Sequence, residues 1–177
     1  MELDAELTAL ATQEDLPADL VRRLLQHPGA RRSVALLRQD LTDELIAEII
    51  DLGSVRTLAA NSSVPARIRA RFAEHPVPSV RCAVAASVRD EPPDLSSGLI
   101  DLLAEDPDIF VRNAIASRPG LPPALRERVV ATLEPDSPLA EWMLEFSRGT
   151  HTCPPAAPAP PPLTRQQAEA LLARAGL

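Results

Sequence analysis

Apolar positions along this chain fall at the spacing of short helices, in a pattern that returns several times. Four segments line up: Ser33-Val34-Ala35-Leu36-Leu37, Ser54-Val55-Arg56-Thr57-Leu58-Ala59, Ser79-Val80-Arg81-Cys82-Ala83-Val84 and Phe110-Val111-Arg112-Asn113-Ala114-Ile115. In the last three, Val55/Leu58/Ala59, Val80/Ala83/Val84 and Val111/Ala114/Ile115 trace one apolar helical stripe. The valines lie 21, 25 and 31 residues apart, so the period is short and irregular. Between these segments, Leu20/Val21/Leu24/Leu25, Leu45/Ile46/Ile49/Ile50, Ile68/Phe72, Leu99/Ile100/Leu102/Leu103 and Leu125/Val129/Leu133 predict second helices.

Proline marks the joints. Pro17, Pro65, Pro93 and Pro122 fall where helices start, a position at which a missing N–H costs nothing. Pro28, Pro76 and Pro107 follow the same helices and stop them. The expected fold is therefore all-α: an α/α superhelix, or solenoid, of about four to five short helical-hairpin repeats. Each hairpin is too small to bury its apolar face alone, and stacked neighbours supply the wall.

The stretch from Leu99 to Ala116, with its Asp106-Pro107 turn followed by Val111-Arg112-Asn113-Ala114, resembles a HEAT-type repeat. The short period and openings such as Leu121-Pro122-Pro123 resemble the leucine-rich-repeat variant branch of bacterial α-solenoids. The resemblance covers about residues 16–147. It is strong in the third and fourth units and degenerate in the first, where Ala35 stands in place of the arginine. It implies a right-handed stack of paired helices, some of them 3₁₀. Members of that branch with an iron–sulfur domain use clustered cysteines. Cys82 and Cys153 are far apart, so that activity is not carried over.

The ends break the pattern. Residues 1–15 read as an amino-terminal capping helix with the stripe Leu3/Leu7/Leu10/Ala11, ahead of the repeat region at 16–147. Leu139/Trp142/Met143/Phe146 is a bulky stripe expected to close the far end. A Pro/Ala-rich linker spans 148–162, and its proline run from Cys153 to Pro162 would extend by about 30 Å as polyproline. Residues 163–177 read as an amphipathic helix. Thr164 and Gln167 form a capping box, Leu163 and Ala168 a hydrophobic staple, and Gly176 a stop.

Composition narrows the function. Net charge is −7, from 25 acids and 18 bases, all of them arginine. A nucleic-acid coat needs a coherent positive surface. Here the basic block 21–39 and the basic block 52–72 are separated by an acidic block at 40–51. Aromatic residues make up 2% of the chain and tyrosine is absent, which argues against a base- or sugar-stacking face. No apolar run approaches the roughly 20 residues that span a bilayer. The acidic start, Met1-Glu2-Leu3-Asp4, differs from a basic export signal, so a cytoplasmic location is expected. The cysteines have no CxxC spacing. His27, His75 and the His151-x-Cys153 pair lack converging ligands, and the two helix-end histidines suit a helix C-terminus. No catalytic, cofactor or metal residues are assigned, and no cofactor is expected.

The expected function is a non-enzymatic protein-interaction scaffold or adaptor. Its partner-binding candidates are Arg81, Arg89, Arg112 and Asn113, with Leu171 and Leu172 on the terminal helix. The series Arg56, Arg81, Arg112 has two readings: it grips acidic groups of a partner, or it staples turns through neighbouring aspartates and carbonyls, with Asp106 or Asp108 placed to meet Arg112. The second is preferred, because stacking itself explains the repetition. The terminal helix either docks on another protein or folds back on its own chain. The alternative function is a nucleic-acid-binding or DNA-lesion-processing HEAT-like protein, drawing on Phe72, Phe110, Trp142 or Phe146. A third reading is an accessory subunit anchored by its terminal helix.

Overall fold

A computed structural model describes residues 2–88, 93–118, 121–132 and 161–177. Every regular element among these residues is a helix. The chain divides into two compact units: Met1–Val64 with Ala157–Leu177, and Pro65–Ala156. The first holds α1 (Glu2–Ala11), α2 (Ala18–Leu25), α3 (Pro28–Leu37), α4 (Asp43–Asp51) and α5 (Val55–Ala59). The second holds α6 (Ala66–Ala73), α7 (Pro78–Ser87), α8 (Pro93–Ala104), α9 (Ile109–Ala116) and α10 (Pro123–Val130). The last helix, α11 (Arg165–Arg174), belongs to the first unit.

Local chemistry explains where these helices begin and end. Thr42 caps α4 through its hydroxyl, which accepts from the Leu45 amide at 3.3 Å. Asp43 and Glu44 follow in the first turn, where the helix dipole favours acids. The bond from Thr42 and the Glu44 amide hold the Glu44 carboxyl below its ordinary pKa. Gly53, at φ +74°, ends α4 in a Schellman motif, with Gly53 N donating to Ile50 O and Ser54 N to Ile49 O. Gly176, at φ +75°, ends α11 the same way, through Gly176 N to Ala173 O and Leu177 N to Leu172 O. Pro17, Pro65 and Pro122 sit at N-caps and Pro93 opens α8, as the proline spacing predicts. Pro28 does more than stop α2: it also opens α3 as that helix's first residue.

In the first unit α3 is the central element, packed against α1, α2, α4 and α5, while α11 lies on α1 and α2. Leu7, Leu10, Leu20, Leu24, Leu25, Ile46, Ile49, Leu58 and Leu172 are fully enclosed or nearly so. In the second unit α7 packs against α6, α8 and α9, and α9 also meets α10. Val80, Val84, Leu103, Val111 and Ile115 form its centre. Burying one such side chain is worth roughly 1.5–3 kcal/mol, so helices of five to twelve residues persist by packing rather than by propensity.

The stripe differs in one detail from its expected form. Val80, Val84 and Ala85 are buried in α7, and Val111, Ile115 and Ala116 in α9, whereas Ala83 and Ala114 are only half-buried. The buried spacing is therefore i, i+4, i+5. Ala30, Val34 and Ala35 repeat it in α3. The first arginine of the series is thus Arg31, four residues ahead of the Ala35 alignment, because the proline that opens α3 fixes the register one helical turn earlier. In α6 the half-buried Ile68 yields its place to Arg69, only 2% exposed, whose guanidinium pKa is lowered by burial.

No described helix is long and apolar enough to cross a membrane. The proposed closing stripe Leu139/Trp142/Met143/Phe146, the proline run up to Pro160, the His151/Cys153 pair, Leu133 and Arg89 lie outside the described residues.

Candidate functional site

Two of the recurring arginines, Arg81 and Arg112, are tied to turns of the fold. Arg81, near the start of α7, donates Nε and Nη2 to the two carboxylate oxygens of Asp106 at 2.7 and 2.9 Å. Its Nη1 donates to the carbonyls of His75 and Pro76 at 2.8 and 3.2 Å. Arg112, near the start of α9, repeats the second half of this arrangement: Nη1 donates to the carbonyls of Asp106 and Pro107 at 2.7 and 3.1 Å. Its Nε donates to the Thr132 hydroxyl at 3.1 Å. In each case one arm of the planar guanidinium closes the proline turn just before its own helix. The other arm reaches a later turn, a division that the fixed fork geometry of arginine permits. Arg31 reaches forward likewise, donating Nη1 to the Leu52 carbonyl at 3.1 Å. Arg56 is exposed at the start of the short α5.

Asp106 joins these turns. Its residue is 6% exposed, and Oδ1 also accepts the Asp108 amide at 2.8 Å. Burial by itself pushes this carboxyl upward. The Arg81 hydrogen bonds, the Asp108 amide and the charges of Arg81 and Arg112 outweigh it and hold the pKa below its ordinary value. The same contact raises the Arg81 guanidinium. Asp108, the other aspartate considered, instead caps α9 by accepting the Phe110 amide at 2.8 Å.

The remaining partner-binding candidates sit as follows. Asn113 is 6% exposed in the body of α9, and neither its amide nitrogen nor its oxygen has a hydrogen-bond partner. Leu171 and Leu172 are 5% and 0% exposed, spent on docking α11 within its own unit. Of the two readings of the terminal helix, the structure therefore takes the folded-back one. Its anchors are specific. The Gln13 amide donates to the Leu163 carbonyl at 2.9 Å and accepts the Leu163 N–H at 2.7 Å. Arg165 pairs with Asp19 at 2.9 Å, and Arg23 donates to the Leu177 carbonyl at 2.6 Å. Arg174 lies 3.0 Å from Glu6 Oε2, an ion pair without the alignment of a hydrogen bond. The capping box of Thr164 and Gln167 is complete.

One of the histidines corrects an expectation. His27 caps the start of α3, with Nδ1 accepting the Ala30 amide at 3.3 Å, and His75 Nδ1 accepts the Val77 amide at 3.1 Å. His27 thus serves a helix beginning, whereas His75 stays in the turn that follows the end of α6.

Arg38 and Asn61 are among the buried polar residues that escaped sequence reading. Arg38, 3% exposed, pairs with Asp40 through Nε at 2.7 Å and turns Nη1 to the Gln13 carbonyl at 3.1 Å. Asn61 donates its amide to the Ala35 and Arg38 carbonyls at 3.1 and 2.7 Å, closing the end of α3. Both follow an apolar run within a few positions, which is the one available signal, and many exposed residues share it.

The second unit leaves several apolar side chains in solvent. Phe110 is 68% exposed, Ile109 37% and Val77 47%, and Pro78 is exposed as well. They stand at the beginnings of α7 and α9, which pack together, and Cys82 Sγ approaches the Phe110 carbonyl at 3.8 Å. Comparison of the chain with protein-family models, with curated proteins and with solved structures finds no match. Fold and site thus define an all-helical protein of short, arginine-stapled helices.

Proposed function

We propose that this protein is a non-enzymatic interaction scaffold, an α/α superhelix of HEAT-like hairpins, that binds a protein partner in the cytoplasm. The observation that carries the reading is the division of labour in α7 and α9. Arg81 and Arg112 are tied to turns, while Phe110, Ile109 and Val77 stay in solvent. A large aromatic at this exposure gains nothing for folding, and clustered exposed apolar side chains mark contact surfaces. Recognition would thus rest on apolar burial around Phe110, with the arginines supporting the turns beneath it.

Affinity capture from the native cell, using the wild-type chain and Phe110→Asp, tests this. Phe110→Asp should melt within about 0.5 kcal/mol of wild type, because the position is a surface one. It should lose a partner that the wild-type chain retains. Identical capture by both chains would overturn the reading. The nucleic-acid alternative has one point in its favour, since Phe110 is exposed enough to stack on a base. A gel shift at low salt decides it: saturable binding of single-stranded or duplex DNA at micromolar protein would replace the scaffold proposal.

A further inference from the structure

Beside the docked tail, the first unit holds an open groove of about 950 Å³ along α1 and α11. That is the size of a ligand pocket, which typically runs to about 300–1,000 Å³. Its accessible apolar lining comes from Ala9 on one side and from Pro161, Pro162, Leu163 and Ala170 on the other, over the buried Leu10 and Leu171. Its end is formed by the turn after α1, where Glu14 and Asp15 are both exposed.

The charge at that end is unbalanced. Residues 1–20 contain six acids and no base. The arginines of α11 serve two of these acids, Asp19 and Glu6. Among the described residues, no cation lies in ion-pair range of Glu14 or Asp15. The backbone of the turn that presents them is held from below by Arg38, through the Gln13 carbonyl. An apolar trough with a negative end selects a ligand that is apolar along its length and positive at one end.

We propose that this groove binds a short amphipathic helical peptide of a partner protein, its leucine-type side chains lying between α1 and α11 and its terminal arginines or lysines meeting Glu14 and Asp15. The helix-in-groove mode fits because α11 already packs on α1 through the same kind of face. This surface belongs to the first unit and does not depend on Phe110, so either proposal can fail alone.

The probe is a fluorescein-labelled synthetic peptide with leucines at i, i+3, i+4 and i+7 and three arginines at one end. Its twin carries three glutamates instead. Anisotropy titration against the full chain should give saturable binding of the basic peptide, about tenfold or more tighter than the twin, since like charges facing each other oppose the encounter. Glu14→Gln with Asp15→Asn should weaken binding severalfold while leaving the melting profile unchanged. Asparagine is chosen because Asp15 sits at φ +60°, which it tolerates. Ala170→Arg, which fills the exposed wall, should abolish binding. Should that variant unfold, Ala170→Gln replaces it, with a smaller loss expected. No saturable binding, equal binding of the twin, or binding indifferent to these changes would each overturn the proposal.

Discussion

Asp106 shows how much one side chain does here. It takes Nε and Nη2 of Arg81 and the Asp108 amide, and it is nearly enclosed. Replacing it by asparagine keeps the shape and removes the charge, leaving a mostly covered guanidinium without its counter-ion. Breaking such a pair costs about 3 kcal/mol, and urea denaturation of Asp106→Asn should show a loss of that order. The pH dependence follows from the lowered pKa. A carboxyl that ionises more readily in the folded state than in the unfolded one stabilises fully above the unfolded value, near 4, and loses this as pH falls through the folded value. Wild type should therefore lose stability on acidification below about pH 4 more steeply than Asp106→Asn. Parallel acid profiles would show that the pair contributes nothing.

At the scale of elements, α11 is the informative case. Ten residues make a helix that is marginal in water, yet this one is ordered by three buried side chains, Ala168, Leu171 and Leu172, and by a complete capping box. Leu172→Ala should cost about 2–5 kcal/mol, because the residue is fully enclosed. Thr164→Ala should cost about 1 kcal/mol through the lost cap. In both variants limited proteolysis should cut within residues 161–177 before any other described segment. Cleavage elsewhere first would mean that the tail is not the weakest element. The capping box and the stop at Gly176 could be read from residue order alone, because caps depend on neighbours a few positions apart. That this helix lies on α1 and α2 could not. The partners Gln13 and Leu163 are 150 residues apart, and apolar spacing names a buried face without naming what buries it.

For the molecule as a whole, the two compact units set the expectation for truncation. Removing residues 161–177 takes away the cover of α1 and α2 together with the contacts of Arg165, Arg174 and Gln13. Hydrogen exchange should then lose protection in α1 and α2 and retain it in α6 to α10. Uniform loss through both units would mean that the chain unfolds as one cooperative body.

Periodicity, proline placement and capping residues settled by themselves that the protein is built of short helices and roughly where each begins, because those signals act within one or two turns. They also exposed the recurring arginine, though not its register in α3, where the opening proline moved it one turn earlier. Only tertiary structure decided which polar groups are spent inside. Arg81 and Arg112 became turn staples, Asn113 was enclosed, and Phe110 was left in solvent. An arginine's reach and a helix's facing neighbour are properties of three dimensions, and a one-dimensional spacing leaves both undetermined.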